Sequence, residues 1–192
     1  MRPADPRKLT AIMEAVLHTI AEYGYQGSSV SRIAQKAGVS DGYLYRHFPG
    51  KHALFDHLYA YHHGKLYDYL ENRLEESDSL TDFLLSLLGY LVQLSQEQRA
   101  VFDYLFIHGH RPGAPTPVEI LERHRAFTRS IRDKGVASGE LHDRLDVERI
   151  SFMLFALPVR LICMRREQLF HAQPIGRDDL EYMAGVMLMA WS

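Results

Sequence analysis

The chain has 192 residues, 46% of them hydrophobic and 24% charged, enough apolar content for a compact core in one globular unit or module. A formal net charge of -2 excludes a protein that is basic throughout, so any affinity for nucleic acid has to be regional. The lone Cys163 excludes an intrachain disulfide framework, and neither a signal-like start nor a run of roughly 20 apolar residues is present, which points to a reducing, cytoplasmic setting without a membrane span.

Charge is indeed uneven. Up to His52, Arg2, Arg7, Lys8, Arg32, Lys36, Arg46 and Lys51 outnumber Asp5, Glu14, Glu22 and Asp41, which leaves the remainder net acidic. A basic front on an acidic body suggests a nucleic-acid-facing module joined to a body with another task.

In chain order, Leu9, Ile12, Met13, Val16, Leu17 and Ile20 repeat at helical spacing and predict a first helix that ends at "YGYQG". Val30, Ile33, Ala34 and Ala37 predict a second, capped by Ser29 and closed by Gly38. A third runs from about Asp41 to Phe48 with Ser40 as its cap, and "PG" at 49–50 separates it from a long fourth helix beginning near Lys51. "LTDFLLSLLGYLVQLSQEQ" predicts a fifth and "VFDYLFIH" a shorter sixth, followed by the Pro/Gly-rich loop 109–117. Then come "VEILERHRAFTRSIRDKGVASG", a nearly unbroken apolar helix over 146–170, and a last stripe through Leu180, Met183, Val186, Met187 and Ala190. No strand alternation of useful length and no internal repeat appears. The expected fold is all-α with about nine helices: a three-helix domain over residues 1–50 and a helical body over 51–192.

Ala34, Gly38 and Leu44 stand at relative positions 0, +4 and +10, the framework of a helix-turn-helix. A small residue lets the helices approach, glycine permits a positive φ in the turn, and leucine anchors the recognition helix. The run "SSVSRIAQKAGVSDGYLYRHFPGKHALF", with "AEYGYQG" before it, resembles the DNA-binding domain of the tetracycline-repressor (TetR) family of bacterial regulators over roughly residues 9–55. The rest of the chain resembles that family only in length and helical character.

The resemblance implies a homodimer, one helix-turn-helix per subunit reading a palindromic DNA operator, and a helical body that binds a small-molecule effector and supplies the dimer surface. It implies Tyr45, His47 and Lys51 as phosphate contacts, Ser29 as a cap and phosphate contact, and Tyr43 with Gly42 at base edges. Gly50 and His52 depart from the family, which commonly has a Ser or Asn cap and then an acid at these positions.

Physical arguments run beside these assignments. Tyr43 near the start of the recognition helix can reach a groove or pack on its own domain. Tyr45 and His47 cannot share a face with Leu44 and Phe48, and Lys51 opens a helix whose free N–H groups favour an anion. Ser40 belongs with this DNA-facing set. Arg32 stands at the third position after Ser29, where a capping box has an acid; its cation opposes the helix dipole, which DNA as partner would explain. Asp41 has three readings: a first-turn acid serving the dipole, a partner that aims Arg32 at guanine, or a direct acceptor from a cytosine amino group.

In the body, Leu66, Leu87, Tyr90, Phe106, Phe127 and Phe155 are candidate walls of an effector pocket, though each suits plain core equally. The histidine clusters His62-His63, His108-x-His110 and His124 have poor metal spacing, so no metal and no cofactor is expected. No nucleophile elbow, phosphate loop or zinc-protease motif is present, and no enzymatic activity is expected. The helix around Ile150 to Cys163 is apolar over more of its circumference than one monomer face needs, and Pro158 is expected to kink it. With the final helix it could form an intersubunit four-helix bundle. The alternative function is a helical ligand-binding or interaction protein without productive DNA binding.

Overall fold

A computed structural model describes residues 5–108, 116–169 and 173–191. Part of the loop expected over 109–117, together with His110 and Phe170, lies outside the described residues. Among those described, the structure is all-α: nine α-helices, one π-helical turn and no strand. The helices are α1 (Pro6–Gly27), α2 (Val30–Ala37), α3 (Asp41–His47), α4 (Lys51–Glu76), α5 (Leu80–Glu97), α6 (Arg99–Asp103), α7 (Val118–Ser138), α8 (Val147–Arg166) and α9 (Arg177–Trp191). The described residues pack as two compact units, one within 1–64 and 99–117, the other within 65–98 and 118–192.

In the first unit, Asp5 caps α1 by accepting the Arg7 N–H at 3.0 Å, and Pro6 enters where its missing donor costs nothing. The predicted stripe is buried from Ile12 to Ile20, with Leu9 half-buried. Gly24, at φ +64° and ψ +176°, breaks the helical path within "YGYQG". Ser29 caps α2 through the Arg32 N–H at 3.2 Å. The helix ends where Gly38 turns left-handed (φ +67°, ψ +31°) and Val39 N–H reaches Ala34 O at 3.0 Å. Ala34 and Leu44 are buried, so the helix-turn-helix framework read from their spacing is built as expected.

Residues 99–108 complete this unit. The expected sixth helix begins two residues earlier, at Arg99, and passes after Asp103 into the π-helical turn Tyr104–His108; both segments lie against α1. The Tyr104 hydroxyl donates to the Phe55 carbonyl of α4 at 2.7 Å in a buried contact, which ties this segment to the first half of α4.

In the second unit, α5 is buried through Phe83, Leu84, Leu87, Leu88 and Leu91 and packs against α7, α8 and α9. Charged side chains from elsewhere in the unit close further free backbone groups at helix ends. Lys134 donates to the carbonyls of Leu74 and Ser77 at the end of α4, and the Glu140 carboxylate accepts the Leu80 N–H at 3.0 and 3.1 Å at the start of α5. The helix expected over 146–170 spans Val147–Arg166, capped by Asp146, and its helical path continues through a buried Pro158. It stops before Gln168, whose φ is +54°.

Candidate nucleic-acid interface

The site is the outer surface of α2 and α3. Ser40 starts α3 by accepting the Tyr43 N–H at 3.2 Å, and Leu44 points inward, which turns Asp41, Gly42, Tyr45 and Arg46 outward as exposed residues. A Cβ on Gly42 would meet nothing within 4 Å, so the backbone there is open to close approach. Tyr45 is 55% exposed and stands clear of the core.

Tyr43 and His47 are half-buried, with ring centroids 4.7 Å apart. The Tyr43 hydroxyl accepts the Asp5 N–H at 3.3 Å, and the Lys8 ammonium lies 5.0 Å from its ring centroid. Of its two expected positions, Tyr43 therefore takes the one packed on its own domain. Among the described residues no acceptor takes its phenolic hydrogen, which can therefore donate outward. His47 was expected to point outward; the neighbouring ring holds it partly down.

Lys51 differs more from expectation. Its ammonium donates to the carbonyls of Tyr25 at 2.7 Å and Ser28 at 3.0 Å and lies 4.2 Å from the Tyr25 ring centroid. Burial pushes its pKa below the ordinary lysine value. The side chain closes the carbonyl end of α1 and its following turn. His52, where the family has an acid, meets the Tyr25 hydroxyl through Nδ1.

Arg32 and Asp41 do not pair. The Arg32 guanidinium lies 4.1 Å from the Tyr23 ring centroid and donates to the Gly27 carbonyl, an internal anchor that explains a cation at this helix start without DNA. Asp41 Oδ2 accepts from the Ser31 hydroxyl instead. Tyr23, Ser31 and Lys8 were missed in the sequence because their roles depend on contacts across the turn. A signal existed for Ser31 alone, since the helix-turn-helix geometry brings the start of α2 near the start of α3.

The effector-wall candidates divide between the units. Leu66, Leu87 and Phe127 are buried in the second, where Tyr90 and Phe155 are half-buried; Phe106 belongs to the first and packs on Phe102 with centroids 5.2 Å apart. The second unit also contains a polar chain that the sequence did not reveal. His124 Nδ1 meets the Tyr67 hydroxyl and Nε2 meets the Ser151 hydroxyl, linking α4, α7 and α8, with the Phe127 ring 5.4 Å from that of Tyr67. Burial, then the neighbouring Arg125, holds the His124 imidazole below its ordinary range. Beside it, Arg123 bridges Asp68 at 2.6 Å and Glu71 at 2.7 Å.

Among the described residues, no three His, Cys, Asp or Glu side chains gather into a metal-binding group, and no helix is long and apolar enough to cross a membrane.

Residues 12–58 match the sequence pattern described as "Bacterial regulatory proteins, tetR family". Over 151 residues the chain is 27% identical to the fatty acid metabolism regulator protein of Bacillus subtilis (strain 168), covering 77% of this chain and 78% of that one. Its fold is similar to the transcriptional regulator FadR from Bacillus subtilis in complex with stearoyl-CoA, with TM-score 0.76, 23% identity and coverage of 94% and 95%. A TetR family transcription regulator from Marinobacter aquaeolei VT8 is similar with TM-score 0.81, 22% identity and coverage of 100% and 98%.

Proposed function

Because this chain belongs to the tetR family of bacterial DNA-binding transcriptional regulators, we propose that it is a cytoplasmic repressor that holds a palindromic operator as a homodimer. It leaves that operator when a small molecule occupies its helical body. The observation that carries the reading is the complete helix-turn-helix, capped at Ser29 and Ser40, with Gly42 and Tyr45 presented outward. Ser29, Ser40, Asp41, Gly42, Tyr43, Tyr45 and His47 remain the proposed DNA-facing set. At Lys51 the proposed phosphate contact passes to the N–H groups at the start of α4, where a helix favours an anion.

A long-chain acyl-CoA is the effector class to test first, since the fatty acid metabolism regulator aligns over most of both chains and the stearoyl-CoA-bound FadR has a similar fold. Tyr90 and Phe155, half-buried in the second unit, are better placed to meet such a ligand than the fully buried Leu66, Leu87 and Phe127.

Helix α4 supplies residues to both units, so a ligand that favours a different packing of its second half can act on the first. Two recognition helices matched to half-sites about 34 Å apart lose fit when their separation changes. Selection of bound duplexes from a random pool, followed by titration with long-chain acyl-CoA, tests both parts. A palindromic consensus and release by the ligand are expected. Failure to enrich any sequence would leave a helical ligand-binding protein without DNA function, and enrichment without release would remove acyl-CoA as the effector.

A further inference from the structure

We infer that Ser31 and Asp41 read the operator as a unit, Ser31 acting as a positioning residue that holds the Asp41 carboxylate for a cytosine amino group in the major groove. This rests on the DNA-binding reading above.

Asp41 is the first residue of α3, the end of a recognition helix that meets base edges, and it is exposed. A first-turn acid usually serves the free N–H groups of its own helix, but here Ser40 already accepts the Tyr43 N–H. Among the described residues, Ser31 on α2 is the one hydrogen-bond partner of the Asp41 carboxylate. The Arg32 cation, one candidate partner from the sequence, is anchored instead on Tyr23 and the Gly27 carbonyl. The result is an ionisable acceptor with Oδ2 held across the turn and Oδ1 left for another donor.

DNA offers that carboxylate few partners. Phosphates have no donor and repel it. In the major groove, guanine shows two acceptors, thymine an acceptor and a methyl group, and adenine a donor flanked by the N7 acceptor; cytosine shows its N4 amino group. An acceptor-only side chain therefore selects cytosine. Ser31 matters because an exposed aspartate rotates freely, and the bond to α2 fixes it in one orientation before DNA arrives.

The test is selection of duplexes from a random pool by the full-length chain and by Asp41→Asn, Ser31→Ala and Ser31→Thr, at one salt concentration. The wild type should enrich cytosine at one position of the bound site, with about tenfold or greater loss when that base pair is changed. Asp41→Asn should move the preference there to adenine, whose N6 and N7 suit a carboxamide. Ser31→Ala should keep cytosine with weaker discrimination, and Ser31→Thr, which retains the hydroxyl, should behave as wild type. On duplexes lacking the site, Asp41→Asn should bind at least as tightly as wild type, because a repelled charge has gone. Unchanged base preference in Asp41→Asn would overturn the inference while leaving the regulator reading intact. Failure of the wild type to enrich any sequence would overturn both. Loss of selectivity in Ser31→Ala that Ser31→Thr does not restore would overturn the positioning role.

Discussion

Lys51 and Arg32 show how a residue can carry the charge of a DNA contact and spend it internally. Each cation lies against a tyrosine and donates to backbone carbonyls around the end of α1, Lys51 to Tyr25 and Ser28, Arg32 to Gly27. Replacing Lys51 with Met leaves two carbonyls without their charged donor and should cost about 1–3 kcal/mol in chemical denaturation. The salt slope of operator binding should stay as in the wild type if the two carbonyls keep the ammonium in the complex; a drop of about one unit in that slope would restore it as a phosphate contact. The type and spacing of these residues were legible in the sequence. Their partners were not, because a tyrosine face and a carbonyl at a helix end compete with phosphate for the same cation, and only the folded chain says which is nearer.

Helix order, caps and the α2–α3 turn were legible because each depends on neighbours within a few residues: Ser29 and Ser40 as caps, Gly38 for the left-handed turn. What joins helices distant in sequence was not. Gly135 on α7 shows this, since a Cβ there would sit 2.5 Å from Leu80 Cδ1 and as close to the Leu141 side chain. Gly135→Ala should therefore lower stability by about 1–3 kcal/mol, measured by thermal denaturation, although alanine is the better helix former. The Tyr67–His124–Ser151 chain spans three helices in the same way. With the folded His124 below its ordinary value of 6.5, the unfolded chain takes up the proton first as pH falls. Stability present above about pH 6.5 is then lost below it. The melting temperature should fall less between pH 7 and pH 5.5 in His124→Gln than in the wild type; equal slopes would remove His124 from this dependence.

For the whole molecule, the exposed apolar residues of the second unit fit the proposed dimer. Phe152 (63% exposed) stands on α8 with Leu157, and Tyr182 and Met189 (74% and 81%) stand on α9, large side chains that a monomer would leave in water. Phe152→Glu should convert a dimer to a monomer in sedimentation and weaken operator binding, since each half-site would then be held alone. A wild type that sediments as a monomer at micromolar concentration would remove the homodimer. The central claim, that the α2–α3 surface binds DNA with sequence preference, is tested most directly by anisotropy of a labelled duplex taken from the selected pool and of its scrambled counterpart across a salt series. The account predicts binding to the selected duplex at least about a thousandfold tighter than to the scrambled one, with log affinity falling steeply and linearly with log salt. Equal affinities for the two duplexes, or no dependence on salt, would contradict it.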